Sequence, residues 1–565
     1  MKSRTSLFNG TVLKKDITRF CPVWIIYAVM QILPAFGSLS TSFVDVEHYN
    51  AYYLAIDTGA MASQTFIYAL VCALLLFGDL FKGRLCNALH AFPLRRETWI
   101  ATHALAGVLF FLAPTTVVSL MYLPFLGNLW FIAPLWLLAV TVMFLFFFSL
   151  AILCIMLTGS RFAASVIYMI INFFSMLCFW FVDTYYALLL PGLQINNDIF
   201  TWFCPATMLT NAEYFSFADK FVPTKDFPDG IISFQFQGFS DGWGYIGIVA
   251  ALAVAFFALA LLLYRKRNLE SAGNFLAFPK TQPVFLMIFA LAIGALFQSI
   301  FALFGTGIIS MAIGMVIGCY AGQMLLRRTV KVFDKRSAIW CGVLAGSIVV
   351  TLIITAIDPL GLTRWTPKAD QIKAITISND YHFATEEEEI DYTYPSSAIT
   401  ITDKEDIQAL VSIHESILAQ KAYSDEARVF MTGPANPIHL TYHMADGREV
   451  VRRYYVTDEV IYQRLQPYFN TPQFLLGYHD FESFYNGVAT VYLDGEALAP
   501  REAVRSLLEA VWADCEAGNM SQLGHDPGST DHYIQIDSEN FYISLDIYDY
   551  SENTLKWIKE WENTH

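Results

Sequence analysis

Long apolar runs separated by short polar segments fill the first two-thirds of the chain. A helix needs about 20 mostly apolar residues to cross the core of a bilayer. Nine runs approach or exceed this length: residues 20–39, 60–80, 99–123, 131–157, 165–190, 243–264, 284–304, 307–326 and 338–357. The pattern therefore predicts a polytopic α-helical membrane protein with about nine transmembrane helices.

The distribution of basic residues predicts the orientation of these spans. If the N-terminus lies inside the cell, the inner segments carry 19 Lys and Arg residues, whereas the outer loops carry only Lys220 and Lys225. Cytoplasmic loops hold the excess of positive charge in membrane proteins. Nine crossings of the cell membrane then place residues 358–565 outside. Loss of one span at the 304–307 hairpin would move those residues into the cytoplasm.

Composition divides the chain at the same point. The 565 residues are 55% hydrophobic and only 15% charged, against about 25% charged in soluble proteins. Before residue 358 there are 21 Lys and Arg against 15 Asp and Glu, a net charge of +6. From residue 358 onward there are 14 against 35, a net charge of −21, and the whole chain carries −15. So acidic an outer half argues against a nucleic-acid partner, which would require a basic surface.

The outer half predicts an α+β domain that is internally repeated. The order strand, helix, two strands, helix occurs twice, and the two halves meet near residues 481–487. Strand-like runs lie at 372–378, 398–402, 438–443, 450–456, 489–493, 533–536 and 541–547, and helical runs at 404–420, 458–468, 500–516 and 553–561. We therefore expect an extracytoplasmic, pseudo-duplicated α+β domain over residues 358–565.

Two further segments flank the first six spans. Residues 1–19 contain an amphipathic stretch that predicts a cytoplasmic interfacial helix lying along the inner leaflet, with Asp16 on its polar face. The outer loop 191–242 is too polar to cross the membrane and too rich in Phe for a plain linker. We expect this loop to dip into the outer leaflet or to pack on the outer domain.

The segment between the second and third runs predicts a short amphipathic docking helix. Its apolar residues Phe81, Leu85, Leu89 and Phe92 fall at i, i+4, i+8 and i+11, which is one face of an α-helix. Pro93 would end this helix. The basic residues around it are Lys82, Arg84, Arg95 and Arg96. The alternative is a basic loop that only fixes the orientation of the spans.

Small residues at four-residue spacing mark two of the last spans. Gly314, Gly318 and Gly322 form one such stripe, and Gly342 and Gly346 form another. Glycine stripes allow helix backbones to approach closely. They predict helix packing within the chain, with a subunit interface as the alternative.

Few ionisable residues fall within the predicted spans, where such residues are candidate functional groups. Asp79 and His103 lie near inner ends, and Asp183 lies beside Trp180 toward an outer end. Asp183 and Trp180 are the candidates for a substrate pathway. So little charge argues against a proton relay, and the aromatic and aliphatic surface suits an amphipathic cargo.

Motifs for catalysis and metal binding are absent from the sequence. It contains no G-x-x-x-x-G-K-[ST], no H-E-x-x-H and no G-x-S-x-G. Histidines 439, 443, 525 and 532 lack a third ligand at suitable spacing, and the acidic run 386–389 lacks the glycine of a calcium loop. We therefore expect no catalytic residues, no bound metal or cofactor and no enzyme activity in this chain.

The segment Leu89-His90-Ala91-Phe92-Pro93-Leu94-Arg95-Arg96-Glu97, between an interfacial helix with two spans and a third span, resembles ABC-2-type transporter permeases. The resemblance covers residues 7–267, so that 20–267 would be a six-span permease core and 268–357 three additional spans. The outer half, with Ile401-Thr402-Asp403-Lys404-Glu405-Asp406-Ile407, Leu440-Thr441-Tyr442 and Val451-Arg452-Arg453-Tyr454-Tyr455, resembles the soluble domain of the Ytr-type permeases of Gram-positive bacteria, which are linked to cell-envelope antibiotic response.

This resemblance implies a permease subunit that works with a separate ATPase, in two copies, and with a second permease copy or paralogue. ATP and Mg²⁺ would be bound by the ATPase, and membrane lipid would surround the spans. The ATPase-coupling residues would be Phe81, Arg84, Leu85, Leu89, Phe92, Arg95 and Arg96. The cargo would be an amphipathic or cell-envelope-related compound. The alternative is a sensor or mechanotransmitter whose outer domain binds a cell-wall precursor or antimicrobial peptide without transport.

Overall fold

A computed structural model describes most of the chain. The described residues are 8–39, 46–91, 95–189, 192–193, 198–222, 231–268, 271–301, 307–359, 361–378, 398–420, 423–424, 436–456, 458–469, 471–476, 480–498, 500–520, 529–538 and 542–563. They form two compact units. The helical unit comprises Met1–Phe181, Asn197–Ile300 and Ile308–Ser347, and the sheet unit comprises Val182–Asn196, Phe301–Gly307 and Ile348–His565.

Thirteen α-helices precede residue 358 among the described residues. They are α1 (Gly10–Arg19), α2 (Cys21–Ser38), α3 (Val46–Leu76), α4 (Gly83–Ala91), α5 (Arg96–Tyr122), α6 (Ile132–Leu157), α7 (Arg161–Leu189), α8 (Asp198–Trp202), α9 (Pro205–Asn211), α10 (Gly242–Lys266), α11 (Gln282–Phe301), α12 (Gly307–Arg327) and α13 (Lys335–Ile357). Three strands interrupt them: β1 (Gly192–Leu193), β2 (Phe215–Val222) and β3 (Ile231–Phe239).

Eight helices in the described part of the chain are long and apolar enough to cross a membrane. They coincide with the first eight predicted runs, and α13 coincides with the ninth. The prediction of a mainly helical protein with several helices of membrane-spanning length and composition is therefore confirmed. The helix α6 is the centre of the bundle: it is hydrophobic on every side and buried along almost its whole length, as expected for a core helix.

Helix α3 begins at Val46, before the predicted start of the second apolar run at residue 60. Its first turns are held by partners that hydropathy does not reveal. The Glu47 carboxylate accepts a hydrogen bond from the Asn128 backbone N–H at 3.3 Å. The ring of Tyr52 stacks on Phe234 of the β2–β3 hairpin at 3.7 Å between centroids. One consequence is that Asp57, assigned to a loop by hydropathy, lies inside a membrane-length helix.

The three glycines of α12 pack against α11. A Cβ atom at Gly318 would lie 2.9 Å from Ile293 Cβ and 3.0 Å from Ala290 Cα, and one at Gly314 would lie 2.6 Å from Phe297 Cβ. These contacts show close packing of two helices of one chain. Gly342 and Gly346 of α13 have no neighbouring atom within 4 Å of such a Cβ position among the described residues.

The sheet unit contains two antiparallel sheets with helices packed on them. The first has the order β1-β8-β7-β4-β5, with β6 also paired to β8. Its further strands are β4 (Ile372–Ser378), β5 (Ala398–Ile401), β6 (Tyr423–Ser424), β7 (Asn436–Met444) and β8 (Glu449–Val456), and its helices are α14 (Lys404–Gln420) and α15 (Glu459–Phe469). Alternating residues such as Ile375 and Ile377 are fully buried in its core.

The second sheet has the order β10-β9-β11-β12. It follows the short helices α16 (Pro472–Leu476) and α17 (Phe481–Gly487), and it comprises β9 (Val488–Leu493), β10 (Glu496–Ala497), β11 (Ser529–Ser538) and β12 (Tyr542–Tyr548) with α18 (Arg501–Glu516) and α19 (Glu552–Glu562). Each half therefore runs strand, short strand, helix, two-stranded hairpin, helix, and each encloses its own hydrophobic core. The acidic run 386–389 and residue 525 lie outside the described residues.

Candidate functional site

The predicted docking helix is α4, and it is shorter than expected. A 3₁₀ turn at Gly78–Phe81 leads into α4, which spans Gly83–Ala91 rather than residues 81–92. Phe92 and Pro93 and the side chain of Leu89 lie outside the described part. The Leu85 side chain is 40% exposed, whereas Cys86 is 3% exposed. One side of α4 therefore faces the bundle and another faces outward, with Arg84 exposed beside Leu85.

Arg96 caps the end of α10. Its Nη1 donates to the carbonyl oxygens of Tyr264, Arg265 and Arg267 at 3.0, 3.2 and 3.1 Å. The last carbonyl groups of a helix have no partner within the helix, so a guanidinium there satisfies several at once. The described hydrogen bonds of Arg96 are therefore to its own chain, and its predicted role in coupling to an ATPase stays a prediction. Arg95, next to it, is exposed.

Arg267 is a functional candidate that the sequence analysis counted only as one of the inner basic residues. Its side chain is buried, and its Nη1 donates to the Ile155 carbonyl oxygen at 2.7 Å. Its Nη2 lies 3.5 Å from the Leu80 carbonyl oxygen, and its Nε donates to Ser271 Oγ at 3.3 Å. Burial lowers the pKa of this guanidinium. One arginine thus joins the end of α6 to the turn that begins α4.

Helix α1 is packed on α5 rather than only lying at an interface. The Asn9 backbone N–H donates to Thr102 Oγ1 at 3.2 Å. Asp16 is buried, contrary to its expected place on the polar face, and its Oδ2 lies 2.6 Å from His103 Nδ1. At the end of α1, Arg19 Nη1 lies 3.3 Å from Asp79 Oδ2. The inner-end ionisable residues Asp79 and His103 therefore serve to attach α1.

These contacts form one connected assembly, which we call the inner junction: α1, the Gly78–Phe81 turn with α4, the start of α5 and the ends of α6 and α10. Polar bonds link every member to at least one other. An ion pair between Arg265 Nε and Glu97 Oε1 at 2.9 Å adds a second tie between α5 and α10. A displacement of α4 can therefore be transmitted to α6 and α10 through direct contacts between protein groups.

The bundle interior contains an acidic group that the sequence analysis missed. Asp57 of α3 lies beside the indole of Trp136 on α6, and within electrostatic reach of Tyr27 and Tyr122. The expected pathway residues Asp183 and Trp180 lie in α7, but their side chains are outside the described part. Asp57 could have been predicted as a bundle residue only if α3 had been predicted to begin near Glu47.

In the sheet unit, strand β8 receives two attachments from segments that follow membrane-length helices. Gly192 and Leu193 of β1 pair with Arg453 and Arg452, three positions after α7 ends at Leu189. Gly192 has φ of +81°, and a Cβ atom there would lie 2.3 Å from the Tyr454 ring. Only glycine combines this backbone conformation with so close an approach.

The second attachment joins β8 to the segment after α13. Arg452 is 2% exposed, its Nη2 donates to the Leu362 carbonyl oxygen at 3.1 Å, and its guanidinium lies 5.4 Å from the centre of the Trp365 ring. Burial lowers the pKa of Arg452. Asp358 has φ of +46° and accepts hydrogen bonds from the backbone N–H groups of Leu362 and Thr363. The chain that leaves α13 is thus folded tightly onto β8.

A buried hydrogen-bonded chain lies in the core of the same sheet. His414 of α14 is fully buried, with Nδ1 2.8 Å from Tyr442 Oη and Nε2 2.7 Å from Tyr454 Oη. Burial, together with the nearby positive charge of Arg452, lowers the pKa of His414 to about 3. Its imidazole is therefore neutral at physiological pH and links a helix to two strands.

Metal-binding geometry is not found among the residues that the structure describes. No group of three or more His, Cys, Asp or Glu side chains comes together there. His443 Nδ1 lies 3.0 Å from Glu449 Oε1, and His532 Nδ1 lies 2.7 Å from Asp494 Oδ2. Each histidine contacts a single carboxylate, an arrangement that stabilises strand ends.

The burial of His414 predicts a pH-dependent stability of the first sheet. The unfolded chain binds a proton at this histidine below about pH 6.5, whereas the folded chain does so only below about pH 3. Stability is therefore complete above pH 6.5 and decreases as the pH falls, by about 1.4 kcal/mol per pH unit. We expect the protection factors of the β7 amides, corrected for intrinsic exchange, to fall about 30-fold between pH 7.5 and 5.0.

Replacement His414→Gln should remove most of this fall, since glutamine retains polar contacts but does not titrate. The matched control is His443→Gln, because His443 is partly exposed and lies on the same sheet. The same loss of protection in wild type and His414→Gln would contradict the assignment.

No family model, no curated protein and no solved structure matches this chain.

Proposed function

We propose that this chain is the membrane-spanning permease subunit of an ABC transporter, driven by a separate ATPase. The observation that supports this most is the construction of α4. One side of the helix is joined to the inner junction through Cys86 and the Leu80 turn, while Arg84 and Leu85 are exposed. A short, anchored helix with an exposed apolar and basic surface suits a partner that pushes on it.

In this proposal, ATP binding by the partner ATPase moves α4. The ATPase, present in two copies, binds ATP and Mg²⁺ and contacts Arg84, Leu85 and Arg95. The helical spacing of the sequence adds Leu89 and Phe92 to the proposed contacts. Half-buried Phe81 anchors the beginning of the segment. Displacement of α4 then moves the Leu80 carbonyl group, and Arg267 carries this movement to α6. A second permease copy or a paralogue completes the transporter.

The proposed orientation places α4 in the cytoplasm and the sheet unit outside the cell. Inner segments that hold most of the basic residues support the first assignment. The pairing of β1 with β8 supports the second, because β1 follows α7 by three residues and α7 is the fifth span. The cargo proposed for such a permease is an amphipathic or cell-envelope-related compound, since the described spans expose mainly aliphatic and aromatic side chains.

The docking role predicts the effect of a charge on the exposed side of α4. Replacement Leu85→Asp should reduce co-purification of the ATPase by about tenfold or more, because an unpaired carboxylate would be buried in the partner's groove. The measurement is recovery of the ATPase with the tagged permease, together with its ATPase rate in the presence of the permease.

A matched control is Val330→Asp, since Val330 is 74% exposed in the segment after α12, on the same proposed side of the membrane. This control should leave the association unchanged. Unchanged association and stimulation in Leu85→Asp would overturn the docking role.

A second function, that of a sensor or mechanotransmitter without transport, is favoured by the two attachments of β8. Strand β8 is tied to the segment after α7 by main-chain pairing and to the segment after α13 by Arg452. A strand held from both sides by chain segments that lead to spans can transmit movement between an outer ligand and the spans.

The two functions differ in what happens at β8 when the ATPase changes state. For a transmitter, amide exchange in Glu449–Val456 should differ between the nucleotide-free and the ATP–vanadate-trapped complex, and Gly192→Ala should abolish that difference. The added methyl group cannot fit against the Tyr454 ring. The control is Gly238→Ala, because no atom lies within 4 Å of a Cβ there. Identical exchange in both states of the wild-type complex would rule out the transmitter.

A further inference from the structure

We propose that Asp57 and the groove between α2 and α3 form a binding site for a cationic amphiphile, a single ammonium head group on an alkyl chain. The inference deepens the proposed function, on which it rests, by naming the charge and shape of the cargo. It combines an acidic group in the bundle with an apolar groove that shares a wall with it.

The head-group end of the site is built around one carboxylate. Asp57 lies in a membrane-length helix, where an ionisable residue is costly and is retained mainly for function. The helices around it supply almost no Lys or Arg: α2, α3 and α6 contain none, and the only one in α5 is Arg96 at its first residue. Arg96 is bound to the end of α10. The charge of Asp57 is thus not matched by these helices.

Aromatic side chains surround this carboxylate. The indole of Trp136 faces Asp57, and Tyr27, Tyr53 and Tyr122 lie close enough to interact electrostatically with it or with each other. The rings of Tyr53 and Tyr122 are nearly parallel, with centroids 6.5 Å apart. Aromatic faces together with an acidic group are the chemistry by which proteins bind ammonium groups.

One buried hydroxyl in the groove has no hydrogen-bond partner among the described residues. Tyr68 is 9% exposed, and its Oη makes no hydrogen bond with them. By contrast, the Trp136 indole interacts with Asp57, and the Tyr27 hydroxyl interacts with Thr115. Buried polar groups are nearly always satisfied, so Tyr68 Oη is a candidate contact for a ligand in the groove.

The tail end of the site is an apolar groove of about 300 Å³ between α2 and α3. Its outer rim is formed by Ile26 and Met30 of α2 and by Ile67 of α3, which are 60%, 58% and 61% exposed. Its floor is formed by Tyr27 and Tyr68, whose rings stack at 3.9 Å between centroids. The groove therefore opens on the side of the helices that would face lipid.

Tyr27 connects the two ends, because it lines the groove and also lies near Asp57. Gln64 at one end of the groove is seven residues from Asp57 on α3, a rise of about 10 Å. Its side chain is hydrogen-bonded to buried Gln31 of α2. Along α3 the polar side chain of Gln64 thus follows Asp57, and the apolar groove residues Ile67 and Val71 follow Gln64. A molecule with one charged end and one apolar end matches this order of surfaces.

The test measures binding by the full chain in nanodiscs of zwitterionic lipid, without an ATPase. The probe is isotope-labelled dodecyltrimethylammonium, and dodecyl sulfate and dodecanol are the competitors of the same chain length. We expect saturable binding of the ammonium that neither competitor displaces at equal concentration. Asp57→Asn should weaken this binding by about tenfold or more, because the unmatched carboxylate supplies the attraction.

Three variants make the result specific. Asp57→Glu keeps the charge and should retain binding within a fewfold range, which also guards against a folding defect in Asp57→Asn. Met30→Trp fills the groove and should weaken binding while leaving Asp57 intact. Asp241→Asn removes an equal charge at an exposed position before α10 and should have no effect.

Absence of saturable binding, or equal binding by wild type and Asp57→Asn, would overturn the inference. Equally strong displacement by dodecanol would also overturn it, since it would show an apolar cleft without charge selection. Because no ATPase is present, this outcome is independent of the Leu85→Asp experiment. Cation binding can therefore fail while ATPase docking holds, and docking can fail while cation binding holds.

Discussion

The pairing of two residues of β1 with β8 constrains the path of the whole chain. Main-chain hydrogen bonds cannot join strands on opposite sides of a bilayer, so the end of α7 and the sheet unit must lie on one side. Between Leu189 and β8 the chain contains four helices of membrane-spanning length, α10, α11, α12 and α13. Only an even number of membrane crossings returns the chain to the same side. If the eight apolar helices cross, α13 must cross as well.

The two units are held by different kinds of contact. In the helical unit, Arg96 and Arg267 bind backbone carbonyl groups and so join α5, α6, α10 and the turn before α4. Helix α1 is attached instead by the side chains of Asp16 and Arg19. Buried Arg267 is not free to rearrange, because an unpaired guanidinium is costly in low dielectric. In the sheet unit, the attachments of β8 are made by β1 and by Arg452.

The periodicity of apolar residues predicts most of the helices and strands. It predicts few of the contacts that form the candidate site. Strand β4 and helix α14 have the predicted bounds, because alternating isoleucines and a capped amphipathic run are strong local signals. The first turns of α3 escaped prediction because Glu47, His48, Asn50 and Asp57 lower the hydropathy of a helix that tertiary contacts stabilise. Arg96 and Arg267 looked like ordinary inner basic residues, since their partners are carbonyl groups more than one hundred residues away.

The proposed topology, in which α4 and the sheet unit lie on opposite sides of a membrane crossed nine times, is tested most directly by cysteine labelling in intact cells. In a background whose nine native cysteines are replaced, single cysteines are introduced as Asp549→Cys in the exposed segment after β12 and Val330→Cys after α12. A membrane-impermeant maleimide should label Asp549→Cys before lysis and Val330→Cys only after it. Labelling of both positions, or of Val330→Cys alone, in intact cells would contradict the account.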